Sequence, residues 1–274
     1  MSMHDKQRQE AAAEEQVRRF SYGPEALQFG ELHLPAGTGP FPTAILIHGG
    51  FWHIPYDYTL MTGLARDLAA RGIAAWNIEY RRVGDAGGGW PNTLLDVARA
   101  AAFLRALPQI DQRRVVAIGH SAGGQLALWL AGYARLAGRH MDDDVQFDVP
   151  VTPLAGVISQ AGVNDLAMSW RLNLGKGAAS DLLGGGFHEM LQRYAVASPA
   201  ALLPLNVPQV MIHGTADDRV PFEVSQAYTR AAQAAGDRAT LITLPGVDHF
   251  ALIDPTSAAW ATTVEALRRL LKMV

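Results

Sequence analysis

Short apolar runs and amphipathic stretches alternate along most of this sequence. Residues 43–47 form a continuous apolar run, the pattern of a parallel strand buried on both faces. Leu60, Leu64 and Leu68, with Met61 and Ala65, recur at helical spacing, and Gly72 ends that helix. A strand is expected over 73–78 and a helix over 92–107, with Pro91 near its start and Pro108 after it. A strand is expected over 114–118, with the apolar run at 115–118, and 122–136 are apolar on nearly all sides, as in a helix buried all round. Later strands are expected over 154–159, 209–213 and 239–244, with helices over 222–235 and 256–272. Trp260, Val264, Leu267 and Leu271 give the last helix a buried face. Two short strands, near 18–22 and 27–34, and a Gly/Pro turn over 35–42 precede this series. The alternation predicts an α/β fold: a mostly parallel, doubly wound sheet with helices on both faces.

Two stretches break the rhythm. Residues 1–17 are polar and rich in Ala, Glu and Gln, the composition of a helix or a frayed tail. Residues 163–203, with Trp170, a triple glycine at 184–186, Phe187 and Tyr194, read as a cap inserted into one domain over the active-site end. At 274 residues the chain can bury an extensive core. Its net charge of -3, with both signs dispersed, gives no reason to expect nucleic acid or a membrane surface as partner. With no cysteine, thiol catalysis, disulfides and cysteine metal sites are excluded. Charged residues through the first twenty positions, Lys6, Arg8, Glu10, Glu14 and Glu15 among them, lead to the expectation of a cytoplasmic protein. Nothing in the sequence identifies an oligomer interface.

Chemistry enters at Gly119, His120, Ser121, Ala122 and Gly123. This G-x-S-x-G pattern sits between an apolar run and a buried helix, where a nucleophile elbow belongs. A serine hydroxyl needs a base, and the base needs an orienting acid. His249 lies in a loop after the last expected strand, and Asp217 in a loop after the one before it. Asp218 and Asp165 are rival acids; Asp217 is favoured by its position after the penultimate strand. Ser121, Asp217 and His249 all follow the C-terminal ends of strands, where open α/β sheets place their sites. The oxyanion hole is expected from the amides of Gly50, Phe51 and Ala122. Trp52, His53, Trp90 and Trp170 are candidate pocket residues.

Other clusters read more plainly. His48 and His53 flank a glycine turn without zinc-motif spacing, so no metal is expected there. Residues 142–144, three aspartates, lack the EF-hand pattern and read as a solvated loop. His48 and His213 are expected to support loops, His120 to bond locally, Asp96 and Arg99 to pair on a helix, and Arg81 and Arg82 to brace the site.

The chain resembles the α/β-hydrolase superfamily over almost its whole length. His48, Gly49, Gly50, Phe51 and Trp52 resemble the H-G-G-x-W motif of arylformamidases and related small carboxylesterases. Hormone-sensitive-lipase-like esterases usually carry a third glycine where Phe51 stands. The Asp217 and His249 segments are similar to those of prolyl-oligopeptidase-type hydrolase domains. The resemblance implies a cofactor-independent serine hydrolase acting on a small-molecule ester or amide. Cleavage of esters with small to medium acyl groups is the leading expectation, and arylformamidase and small-peptidase activities are the alternatives. A non-catalytic ligand-binding protein on this scaffold is the alternative of a different class.

Overall fold

The computed structural model describes residues 16–141 and 145–273. The expectations for residues 1–15 and for the aspartates at 142–144 lie outside the described residues; Gln16 and Val17, grouped with the tail by sequence, begin the first strand.

Eight strands form one sheet: β1 (Gln16–Ser21), β2 (Phe29–Leu34), β3 (Phe41–Ile47), β4 (Ala74–Ile78), β5 (Ile110–His120), β6 (Gly156–Gln160), β7 (Gln209–Gly214) and β8 (Ala239–Leu244). Their spatial order is β1-β2-β4-β3-β5-β6-β7-β8. β1 pairs with β2 and β2 with β4 in antiparallel fashion; every other pairing is parallel. The fold is that of an α/β-hydrolase, a mostly parallel sheet carrying helices on both faces.

The two-residue period of a strand sorts its side chains between two cores. In β3, Ile45 and Ile47 face one core and Ala44 and Leu46 the other. The first core is covered by α2 (Asn92–Phe103), α3 (Ala122–Gly132) and α7 (Phe222–Ala234), and the second by α1 (Thr62–Ala70) and α8 (Ala258–Leu270). The Trp260 indole N–H donates to Asp67 Oδ2 at 2.6 Å, tying α8 to α1. Every residue of α3 is buried, in keeping with its apolar sequence, and the segment expected to reach residue 136 ends instead in a 3₁₀ turn, Tyr133–Arg135. Leu60 differs from its expected place: it lies in a 3₁₀ turn, Tyr58–Met61, ahead of α1.

Between β6 and β7 lie three short helices, α4 (Leu166–Arg171), α5 (Ala178–Leu183) and α6 (Leu191–Ala197). Side chains of α3 fasten this stretch: Gln125 Nε2 donates to the Ala197 carbonyl and the Trp129 indole to the Val196 carbonyl, both at 2.8 Å.

The chain leaves β3 outward to β4 and returns to β5 on β3's other side. That reversal opens a crevice beyond the C-terminal ends of β3 and β5. In register, Ile47 pairs with Gly119, so the loop after β3 and the turn after β5 emerge side by side.

Candidate active site

Ser121 stands between β5 and α3 with φ 56° and ψ -120°, a conformation that costs an L-residue about 1–3 kcal/mol. Backbone bonds hold it there. The Ser121 N–H donates to the Gln160 carbonyl at 2.8 Å, and the Ser121 carbonyl accepts from Gly124 at 2.9 Å. The flanking glycines answer to close approach. A Cβ on Gly119 would lie 1.9 Å from the Gly123 carbonyl oxygen, and one on Gly123 would lie 2.1 Å from that of Ile47. Ala122 opens α3, so its N–H is among those a helix leaves unpaired internally.

The loop after β3 turns through Gly50, Phe51 and Trp52, whose φ angles are 109°, 50° and 61°. The His53 N–H closes that turn on the Gly50 carbonyl at 3.0 Å. Beneath it lies a buried brace. His48 Nε2 sits 3.0 Å from Glu79 Oε1 and its Nδ1 2.8 Å from the Gly49 carbonyl. Both ring nitrogens of His48 thus face acceptors. Tyr80 stacks on His48 with centroids 4.2 Å apart and donates its hydroxyl to the His48 carbonyl. Glu79 also accepts the Tyr58 and Tyr80 N–H groups. Glu79→Ala is therefore expected to cost about 1–3 kcal/mol for each buried donor it leaves without an acceptor, the Tyr58 and Tyr80 N–H groups foremost. Urea unfolding measures this as a lowered midpoint; an unchanged midpoint removes the brace from the account.

Asp217 has four donors. Oδ1 accepts the Arg219 and Val220 N–H groups, each at 2.8 Å. Oδ2 accepts His249 Nδ1–H at 2.6 Å and His213 Nε2–H at 3.1 Å. Burial opposes ionisation most strongly, yet the bonds from His213, His249 and Val220 together hold this carboxyl well below the usual range. His120 donates Nε2–H to the His249 carbonyl at 3.0 Å, with the two rings 4.5 Å apart. Burial, reinforced by the positive charge His249 can carry, pushes His120 down to about 3, which leaves it neutral at neutral pH.

Ser121, His120, His249, Gly50 and Phe51 line one cavity of about 130 Å³. Tyr56, Leu60, Arg219 and Phe250 complete it, and sequence reasoning had not singled these out for the site. Arg219 and Phe250 could have been found as near neighbours of Asp217 and His249; Tyr56 and Leu60 carry no such signal. The aromatic and histidine candidates fall elsewhere. Trp52 is fully buried, its indole N–H on Gln125 Oε1 at 3.0 Å. His53 Nε2 lies 3.3 Å from Asp181 Oδ2 on α5. Trp90 meets Phe147 edge-on, and Trp170 packs against Phe187 and His188. None of the four is among the residues lining the Ser121 cavity. Of the rival acids, Asp165 caps α4 by accepting the Met168 N–H, and Asp218 is exposed beside Arg219. Arg81 and Asp96 form a buried pair, Nη2 to Oδ1 at 2.7 Å, that Gln28 joins. No helix among the described residues is long and apolar enough to cross a membrane.

Known proteins resemble this chain at two levels. It is 26% identical to dipeptidyl-peptidase 5 of Porphyromonas gingivalis over 77% of its own length, and 26% identical to the isoprenylcysteine alpha-carbonyl methylesterase ICME of Arabidopsis thaliana over 85%. Esterase FrsA of Escherichia coli O157:H7 is 37% identical over 37% of the chain. The chain spans only 31%, 56% and 24% of these three proteins, respectively. A truncated carbohydrate esterase from gut microbiota superposes with a TM-score of 0.81 at 21% identity, covering 95% of this chain and 99% of its own. Esterase B of Lactobacillus rhamnosis gives 0.76 at 22%, covering 98% and 92%. At such identities the structures share the fold. The BD-FAE family pattern matches residues 31–231, most of the chain, and the chain therefore belongs to the BD-FAE family of α/β-hydrolases.

Proposed function

We propose that this chain is a serine hydrolase that cleaves carboxylic esters of small to medium acyl groups through an acyl-enzyme on Ser121. One observation carries the reading: Ser121, on its strained turn, shares a cavity with His249, whose Nδ1–H is 2.6 Å from the carboxylate of Asp217. In this reading Ser121 Oγ bonds to the ester carbonyl carbon as its proton passes to His249 Nε2. The carbonyl oxygen becomes an oxyanion held by the amides of Gly50, Phe51 and Ala122. The oxyanion collapses, the carbon–oxygen bond to the alcohol breaks, and His249 delivers the proton to the departing oxygen. Water then repeats the sequence on the acyl-enzyme, releasing the acid and restoring Ser121 and His249. Asp217 stays ionised throughout and holds the tautomer of His249 that presents a lone pair at Nε2. Residues 163–203 act as a cap within a single domain: the Phe51 ring lies against the Gly175 backbone of that segment.

Two of the relatives are named as esterases, and the cavity gives the formamidase reading no contact of its own, because Trp52 of the motif faces Gln125. A cavity of about 130 Å³ is small beside the ~300–1,000 Å³ of sites that bury drug-sized ligands. Turnover of p-nitrophenyl acetate and butyrate is accordingly expected to exceed that of the octanoate, and of N-formylkynurenine and an aminoacyl p-nitroanilide, by about tenfold or more, as one or two poorly accommodated methylenes already cost that much. Dominant formamide or anilide turnover would replace the ester assignment.

A further inference from the structure

His213 is a buried titratable group that bonds Asp217 and that the mechanism leaves unused. It is the penultimate residue of β7 and fully buried, and its Nε2 faces two acceptors, Asp217 Oδ2 at 3.1 Å and the Val220 carbonyl at 3.0 Å. A carbonyl only accepts, so Nε2 carries the proton. The other nitrogen, Nδ1, lies 2.8 Å from Ser225 Oγ on α7. With Nε2 protonated in a neutral ring, Nδ1 accepts the Ser225 hydroxyl proton. Asn164 Nδ2 reaches Ser225 Oγ at 3.5 Å, and Asn164 Oδ1 accepts the Ser159 hydroxyl at 2.8 Å. A continuous polar chain thus runs from β6 through α7 and His213 to Asp217. It ends on Oδ2, the oxygen that also holds His249.

We propose that His213 is a positioning residue whose Nε2–H, sharing Oδ2 with His249, fixes the Asp217 rotamer and draws charge from the oxygen that His249 uses. Two donors on one oxygen do what one cannot. With the Arg219 and Val220 N–H groups on Oδ1, they hold the carboxylate against rotation about its last bond, and they lower the basicity that His249 feels. A more basic Asp217 would stabilise imidazolium and remove the neutral base that Ser121 needs. Other charged or titratable groups facing this array are His120 from the elbow, held neutral by burial, and Arg219 and Asp218 from the Asp217 loop. None of their side chains bonds Oδ2 in place of His213. The inference rests on reading Asp217 and His249 as catalytic partners of Ser121.

The test is a pair of amide substitutions with opposite reach. His213→Gln places its amide N–H where Nε2 was, toward Asp217. His213→Asn places it nearer Nδ1, toward Ser225. The expected result on p-nitrophenyl acetate is a kcat within about threefold of wild type for His213→Gln. For His213→Asn it is a fall of about 10- to 100-fold with KM little changed, as for other supporting residues that orient a functional one. The acid limb of kcat/KM against pH should move up by about half a unit to one unit in His213→Asn and stay in place in His213→Gln. Ser225→Ala, which keeps the ring, should move the limb the same way by less, and it carries the test should His213→Asn fail to fold. Equal losses in the two amide variants, or an unmoved acid limb in both His213→Asn and Ser225→Ala, overturn the proposal. A Ser121→Ala variant run beside them separates the failures. If it retains turnover, the serine mechanism itself is wrong; if it is inactive while the His213 variants behave alike, only the role of His213 falls.

Discussion

Ser121→Ala is expected to lower kcat on p-nitrophenyl acetate by about 10⁵- to 10⁶-fold, the scale seen when a serine hydrolase loses its nucleophile. It is also expected to leave the fold as it is. The hydroxyl makes no capping bond to α3, and what holds the turn is backbone: Ser121 N–H to Gln160, and Gly124 and Val163 N–H to the Ser121 carbonyl. Alanine meets the same backbone cost at φ 56° as serine does, so the strain is unchanged. Thermal unfolding should therefore superpose on wild type while turnover disappears and a fluorophosphonate probe no longer labels the protein. Residual turnover within tenfold of wild type would mean that another group carries the chemistry. The double readout matters because an inactive, unfolded variant would look the same in turnover alone.

The sequence was legible wherever one local pattern determined the outcome. Residues 44–47 are apolar at every position because the strand they form is covered on both faces, and the split of Ile45 and Ile47 from Ala44 and Leu46 follows from the strand period alone. The elbow was legible because Gly119 and Gly123 are required by contacts within van der Waals distance of the turn itself. Trp52 was not, because its direction is set by three consecutive residues at positive φ, of which only Gly50, having no side chain, advertises it. A signal did exist at the other end of that contact. Gln125 is the one strongly polar residue in an otherwise apolar buried helix, and a buried amide requires partners. It finds the Trp52 indole on one side and the Ala197 carbonyl on the other. Tyr56 and Leu60 reach the cavity through the same turn, and no spacing in the sequence encodes that approach. The histidines show the same division. His213 and His48 were readable as buried supports from their place at strand ends before glycine, but the particular acceptors, Asp217 and Glu79, depend on which loops the strand order brings together.

Asp217→Asn is expected to reduce kcat by about 10⁴-fold, the effect of giving the catalytic histidine the wrong tautomer. Asp217 meets four donors and no acceptor: two backbone N–H groups on Oδ1 and two imidazole N–H groups on Oδ2. An asparagine has one oxygen and one NH₂, so one side of the array must place donor against donor. If the NH₂ faces the imidazoles, His249 relieves the conflict by moving its proton from Nδ1 to Nε2, and the lone pair that should receive the Ser121 proton is gone. If it faces the loop, the amides of Arg219 and Val220 lose their acceptor, and the buried carboxamide costs about 1–3 kcal/mol of stability. Either arrangement damages the site without changing its size. Asp165→Asn supplies the control. Asp165 caps α4 through the Met168 N–H, a duty asparagine performs about as well, so activity should stay within twofold of wild type. Full activity in Asp217→Asn together with a large loss in Asp165→Asn would transfer the acid's role to the loop after β6. The geometry argues against that outcome because His249 Nδ1 lies 2.6 Å from Asp217, whereas Asp165 is committed to its helix.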